Sequence, residues 1–370
     1  MPQSNGNSAR TIRGITRYAR PGKPWTFLFK EDAADLEQVR QWRPHGAIAY
    51  AATQEHMDEL FTLGCPIVYV SDRFHRPGAA NVAVDSVIAG QLAARHLMER
   101  GYRHFGFVGE PSVSVCRRRR EGFETTLAEA GFTCRTHEIN LKGSRRDKHL
   151  AALAEDTLTW LAALPRPTGL LAWRDLAALP LAEACRRAGL AVPHDVAILG
   201  IDNDEAFCEM AYPTLSSVNM PFERVGYRAT ELLDGLMHGQ PVPEQPLRIP
   251  PQNIVVRQST DGLAVDDPLV IRAIDFIHAR TCQAITVETV LRETNVSRRV
   301  LENRFRKAIG RTPLEQIHRS RVELAKRYLN RGDMTLQQIA RASGFGSVKR
   351  LSAVFRKYVG ESPADYRNGT

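Results

Sequence analysis

Two stretches of this chain carry nearly the same side chains. Ser297, Leu301, Phe305, Arg306, Lys307, Gly310 and Pro313 recur as Ser347, Leu351, Phe355, Arg356, Lys357, Gly360 and Pro363 at an offset of 50, and Thr286, Val287 and Val290 recur as Thr335, Leu336 and Ile339 at an offset of 49. At 3.6 residues per turn, Val300, Leu301, Phe305 and Ile309 of the first copy form one apolar stripe, and Leu351, Val354 and Phe355 form that of the second. The opposite faces carry Arg298, Arg299, Glu302, Asn303 and Arg306, and Lys349, Arg350, Ser352, Ala353, Arg356 and Lys357. Arg and Lys pair with guanine edges and phosphates, and Asn with adenine edges, so these faces offer the chemistry a major groove can use. A single basic helix face is most often only solvated; two in register, with the same breakers, favour duplex DNA as the partner.

The local signals place these faces on short helices. Asn295-Val296-Ser297 and Gly344-Phe345-Gly346 supply the turns that absorb the one-residue slip between the offsets. Gly310 and Gly360 end the second helix of each copy, and Thr312 or Ser362 then stands as N-cap before Pro at the first position of another helix. Each copy therefore reads as a helix-turn-helix unit. Charge follows the same division: residues 268–370 hold 20 Lys+Arg and 9 Asp+Glu, a net of +11, while residues 1–267 hold 30 and 32, a net of −2. A basic segment beside a near-neutral one is the footprint of a domain that faces a polyanion. Asp266-Asp267-Pro268 opens the helix Leu269–Arg280 with acidic residues at its positive end, so the domain boundary is placed at Asp267.

Upstream, apolar runs alternate with segments of helical period. Thr26–Phe29, Ala47–Tyr50, Ile67–Val70, Phe105–Val108, Leu170–Ala172 and Val196–Ile201 read as buried strands. Ser86–Arg100, Arg119–Ala130, Leu176–Ala188 and Phe222–His238 read as helices, ended by Gly101, Gly131, Gly189 and Gly239. A Pro-rich passage, Pro241 to Pro251, precedes one more extended run, Asn253–Arg257. Such alternation predicts parallel sheets covered on both faces, and its length fits a two-lobed α/β domain over residues 1–267, followed by an all-α domain over 268–370. The run Arg117–Arg120 reads as a helix start with one residue turned inward.

Other function classes lose support. There is no G-x-S-x-G, no P-loop and no G-x-G-x-x-G after a strand, so an enzyme on the doubly wound fold, processing a sugar, is the weaker reading. The six cysteines are scattered, with no C-x-x-C and no paired His spacing; they read as reduced, mostly buried small hydrophobes, and no metal or cofactor is expected. No run approaches a membrane span, and Met1 to Arg10 is polar with no apolar signal core behind it, so a cytoplasmic protein without a membrane partner is expected.

The segments VSRRVLENRFRKAIGRTP and ASGFGSVKRLSAVFRKYVGESPADYR resemble the AraC-type transcription regulators over the whole C-terminal domain. The resemblance implies seven helices, with two recognition helices joined by a long helix, Leu314–Leu329, and entering successive major grooves. It makes Arg298, Arg299, Glu302 and Asn303 base-reading candidates in the first unit and Lys349, Arg350 and Ser352 in the second. Arg306, Arg356 and Lys357 join them as DNA contacts. Ala353 stands where a longer polar residue is frequent in the family.

Three upstream fragments, VAVDSVIAGQLAARHLMERGYRHFGFVG, RREGFETTLAEAGF and PHDVAILGIDNDEAFCEMAYPTLSSVNMPFERVGYRATELL, resemble the lactose-repressor and periplasmic sugar-binding fold. The joined pair is similar to a class of sugar-operon regulators. The resemblance implies a ligand crevice between two lobes, a pentose-like or related small sugar as effector, and a homodimer formed through the first lobe. An activator of carbohydrate genes would also meet RNA polymerase. Carried over to the crevice are Asp72, Arg119, Asp175, and Asp202 with Asn203; each could instead be a helix N-cap or a surface ion pair. Relatives commonly show a small or amide residue before the equivalent of Asp175 and an Arg two residues after it; here the run is Trp173-Arg174-Asp175-Leu176-Ala177. Arg174 could fill the crevice, bind an acidic sugar or face solvent. In the first of these cases the domain would be a ligand-free dimerisation scaffold.

Overall fold

In a computed structural model, the structure describes residues 6–19, 25–29, 36–51, 53–71, 76, 78–139, 155–262, 267–283, 285–331 and 334–369. The chain divides into two compact units, residues 1–99 with 103–261, and 100–102 with 262–370.

The first unit holds two sheets. In chain order, α1 (Gly6–Ala19), α2 (Leu36–Trp42), β1 (Ala47–Ala49), α3 (Gln54–Phe61), β2 (Ile67–Tyr69) and β3 (Ala80–Val84) begin lobe 1. Lobe 2 follows as α4 (Ser86–Glu99), β4 (His104–Gly109), α5 (Ser114–Glu129), β5 (Cys134–Glu138), α6 (Glu155–Ala162), β6 (Thr168–Ala172), α7 (Asp175–Arg187), β7 (Val196–Asp202), α8 (Glu205–Met210) and β8 (Ser216–Asn219). The chain returns to lobe 1 as α9 (Phe222–Met237) and β9 (Leu247–Ile249), then ends in lobe 2 with β10 (Asn253–Val255). Lobe 1 has the parallel order β1-β2-β3-β9; lobe 2 has β10-β8-β7-β6-β4-β5, parallel except for the β10–β8 pair.

The strands β2, β3, β4, β6 and β7 are nearly continuous buried apolar runs because both sheet faces are covered there, whereas the edge strand β5 (CRTHE) is polar and only partly buried. Val68 and Val82 pack under Val225, Ala229 and Leu233 of α9, while Ala49, Ile67 and Tyr69 pack under Leu36, Met57 and Leu60. Three crossovers join the lobes, between β3 and α4, β8 and α9, and β9 and β10. They are tied to one another: Asp85 N donates to Ile249 O at 2.8 Å, and Gln252 N donates to Asn219 O at 3.0 Å.

Two helix pairs cross at glycines. A Cβ on Gly14 of α1 would lie 1.9 Å from Glu223 O, and one on Gly226 of α9 would lie 2.0 Å from Thr11 O. Gly90 of α4 and Gly122 of α5 meet Arg119 O and Val87 O in the same way, at 2.1 and 2.0 Å. The bare backbones therefore touch, and Arg17 with Glu223 and Tyr18 with Asp234 fasten α1 to α9 further.

The second unit consists of seven described helices: α10 (Pro268–Ala279), α11 (Val287–Thr294), α12 (Arg298–Ile309), α13 (Pro313–Arg331), α14 (Leu336–Ala342), α15 (Val348–Val359) and α16 (Pro363–Gly369). It has two small cores. Leu301 and Phe305 pack with Val270, Ile274, Ile277, Val290 and Ile317; Leu351 and Phe355 pack with Val322, Ala325, Leu329, Ile339 and Phe345. The long α13 serves both.

Four sequence expectations are corrected. Thr26–Phe29 forms no ladder with the lobe 1 sheet, and Phe27 is 52% exposed: an apolar run becomes a buried strand only where a neighbour takes its backbone groups. The helix expected at Arg119 begins at Ser114, so Arg119 lies within α5 rather than at its start. The run from Asn253 leaves the sheet after Val255, and the Pro-rich passage contains β9. Val300, placed in the core stripe, is 42% exposed.

Candidate DNA interface and ligand crevice

The two basic helices are built alike. Ser297 accepts from Val300 N, and Ser347 accepts from Arg350 N. Gly310 and Gly360 close α12 and α15 at φ +67° and +94°, where their N–H groups return to Arg306 O and Arg356 O. The preceding helices start with reciprocal caps, Thr286 with Thr289 and Thr335 with Gln338. With Leu301, Phe305, Leu351 and Phe355 fully buried, the remaining faces turn outward.

Of the ten candidates, Arg298, Arg299, Asn303, Arg306, Lys349, Arg350, Arg356 and Lys357 are exposed, and Glu302 and Ser352 are half-buried. Arg298 is tethered to Glu302 at 3.1 Å and lies 3.7 Å from Glu288. An exposed pair of this kind is worth little and exchanges readily for a phosphate. Val300 joins this face, a position the periodicity missed. The repeat itself carried the signal, since the offset of 50 aligns Val300 with the exposed Arg350 rather than with a core residue. A Val there offers an apolar contact of the kind a thymine methyl takes. Between the two helices, α13 spans 19 residues, about 28 Å at 1.5 Å per residue. Buried Arg321 ties α13 to the segment before α11 by donating to Gln283 O and Ile285 O at 3.1 and 3.0 Å.

In the first unit, the carboxyl ends of β6, β7 and β8 gather a polar cluster. Arg119 is 3% exposed; it donates to Trp173 O at 2.5 Å and to Asp202 Oδ1 at 2.8 Å. Asp175 is buried at the start of α7, where its two oxygens accept from Ser217 Oγ at 2.6 Å and Asp204 N at 2.8 Å. Burial, then the nearby Asp202, push the Asp175 carboxyl above the usual range. Its carboxylate holds the turn after β7. That turn runs through Asp202 at φ +119° and Asn203 at φ +53°, a backbone that non-glycine residues rarely adopt and that only surrounding bonds hold in place. Asn203 N donates to Ser217 Oγ, and Asn203 Oδ1 accepts from Arg257.

Arg10 of α1 was not foreseen. It donates to Asp202 O at 2.7 Å and Asn203 O at 3.3 Å, to Asn219 Oδ1 at 2.9 Å and, more closely, to Met220 O, joining lobe 1 to the strand ends of lobe 2. No local motif marks it, because its partners lie some two hundred positions away in the chain. Arg174 stacks over Trp173, its guanidinium carbon 4.4 Å from the ring centroid. The structure thus brings Arg119, Arg174, Asp175, Asp202 and Asn203 together; Asp72 lies outside the described residues. The arginine run lies inside α5 rather than at its start, but one residue turns inward as expected: Arg119 is buried, while Arg120 is paired to Glu124 at 2.8 Å.

Among the described residues no group of three or more His, Cys, Asp or Glu is arranged to hold a metal, and no helix is long and apolar enough to cross a membrane. Cys116, Cys185 and Cys208 are buried, Cys65 and Cys134 half-buried, and Cys282 is exposed. Burial pushes the Cys116 thiol up to about 11, which makes it a poor nucleophile.

Comparison with known proteins agrees with both halves. Residues 94–260 match the periplasmic binding protein-like domain, and residues 290–369 match a helix-turn-helix domain. The chain is 28% identical to the xylose operon regulatory protein of Escherichia coli K12, covering 98% of this chain and 95% of that protein. It is 31% identical to the HTH-type transcriptional repressor PurR of Aliivibrio fischeri, over 61% of this chain and 69% of the relative. The solved structure of a xylose-binding transcription activator superposes with a TM-score of 0.65 and 26% identity, covering 100% of this chain and 96% of the other. With both domains matched in the same order over nearly their full length, the chain belongs to the AraC-type DNA-binding transcription regulators that carry a periplasmic-binding-protein-like sensor, and it is no enzyme.

Proposed function

We propose that residues 1–267 form the sensor and dimerisation domain, and that residues 268–370 form the DNA-reading domain, of a cytoplasmic activator of carbohydrate-metabolism genes. A pentose-like or related small sugar enters the crevice between the lobes and meets Arg119, Arg174, Asp202 and Asn203, with Asp175 organising the turn; Asp72, outside the described residues, is a further candidate contact. The regulator works as a homodimer and presents its bound state to RNA polymerase. The reading is supported by relatives whose names carry xylose, and by a polar cluster at strand carboxyl ends, where doubly wound folds take ligands. Arg298, Arg299, Val300, Glu302 and Asn303 face the bases from α12, and Lys349, Arg350 and Ser352 face them from α15. Arg306, Arg356 and Lys357 take phosphates.

The observation that carries the reading is the pair of identically capped helices, each raising a cationic face from its own apolar core. Two such helices need sites about one DNA turn apart, roughly 34 Å. Selection of bound duplexes from a random pool, followed by footprinting of the full-length protein, should give two protected major grooves per chain and an affinity that falls steeply with salt. Binding that ignores salt, or protection of a single groove, contradicts it.

One observation favours the scaffold reading: Arg10 already occupies the strand ends of β7 and β8. Calorimetry of the full chain with pentoses and hexoses separates the two, because a scaffold takes none of them while its DNA binding persists.

A further inference from the structure

Four guanidinium groups meet at or beside the crevice, and three are spoken for. Arg119 is paired with Asp202, Arg257 with Glu209 at 3.1 Å, and Arg10 with four oxygens of the polypeptide. Arg174 differs: among the described residues it has no ion-pair partner and no hydrogen-bond acceptor, only the face of Trp173. Its Nε is buried without an acceptor, as are Nε of Arg119 and Nε1 of Trp173, itself 6% exposed. The surplus at the carboxyl end of β6 is therefore entirely of donors. Buried donors of this kind are normally satisfied, so a group of them calls for acceptors from elsewhere.

The position is a ligand's position. Arg174 stands at the N-cap of α7, where it makes no side-chain cap bond, in front of a 13-residue helix whose first N–H groups point toward it. The charges acting on it are Asp202, Arg119 and Glu110 of lobe 2, and the side chain of Tyr50, just past β1 in lobe 1, is also near enough to act on it. A guanidinium that is stacked on an indole and has no acceptor of its own among the described residues is pre-organised for a planar, two-oxygen anion.

We propose that the effector is a polyhydroxylated anion, a sugar bearing a carboxylate or a phosphate, whose charged group pairs with Arg174 while its hydroxyls meet Arg119, Asp202 and Asn203. This deepens the sugar-sensing reading and rests on it. Neutral sugars satisfy hydroxyl-binding groups equally well but leave Arg174 without its counter-charge.

The test is titration calorimetry of the full-length protein with chemically matched probes. D-Glucuronate is the D-xylopyranose ring with a carboxylate added at C5, and D-glucose 6-phosphate is the same ring with a phosphorylated hydroxymethyl group there instead. With all three titrated, one anionic probe should bind at least tenfold more tightly than D-xylose, and the carboxylate and phosphate arms tell which group the site takes. Arg174→Gln should remove that preference, whereas Arg174→Lys, which keeps the charge, should retain part of it; DNA binding by each variant confirms that it is folded. D-Xylose binding as tightly as both anions overturns the proposal while leaving sugar sensing intact. A preference for the anion that survives Arg174→Gln overturns the role given to Arg174. No binding by any of the three, with DNA binding intact, removes the proposal and the sensing reading together.

Discussion

Asn303 and Arg350 are exposed on their helices, so replacing them tests recognition rather than folding. Asn303→Ala or Arg350→Ala should cost about 1–3 kcal/mol on the selected sequence and relax preference at one or two base pairs. Lys357→Ala should weaken every sequence alike and lower the salt slope by about one. Affinities for selected and scrambled duplexes, compared at two salt concentrations, check both; equal losses on the two duplexes for all three variants would remove the division of roles. The basic faces were legible because each residue's environment is set by its own helix. Val300 was misplaced because its apolar side chain fits the stripe by type, and only the neighbouring repeat places it outside. Arg10 was illegible for a different reason: its environment is made wholly by residues far along the chain.

Helix ends were the clearest element-level signal. Gly101, Gly131, Gly189 and Gly239 all adopt positive φ where helices were expected to stop. Capping is local chemistry within four residues, so a sequence states it directly. Pairing is not local, which is why Thr26–Phe29 read as a strand and yet lies outside the sheet. Helix α1 also escaped notice, although it carries the residue that reaches the crevice. Its seat depends on the Gly14 and Gly226 crossing, and Gly14→Ala would push a methyl into the Glu223 carbonyl. Overpacking of this kind costs about 1–3 kcal/mol. We expect Gly14→Ala to lower the sensor's melting midpoint by several degrees, as calorimetry of the full chain would record. An unchanged midpoint would mean that α1 is not held by that contact.

At the scale of the whole molecule the question is how a small ligand alters DNA binding. Effector and DNA affinities are linked: whatever factor the saturating effector imposes on DNA affinity, saturating DNA must impose on effector affinity. Such factors typically run from about 5 to 150. Measuring both arms on one preparation should return the same number, and an effect on DNA with no reciprocal change in effector affinity would place the sensing outside this chain. An α/β part followed by an all-α part was legible from periodicity and from the uneven distribution of charge along the chain. What passes between the domains was not, since coupling resides in differences between states and leaves no compositional trace.

The three crossovers have a further meaning for how such a protein can be assembled. Lobe 1 is spelled out before Asp85 and again between Phe222 and Ile249, while lobe 2 takes the residues between and the last strand, Asn253–Val255. Neither lobe is a contiguous stretch of gene, so a recombination breakpoint inside this span strands one of them without a sheet member. A joint outside the span, beyond the final strand or ahead of α1, can transplant the sensor whole onto a different reading head. The lobes must be inherited together, and the helices that read DNA are the part free to be exchanged.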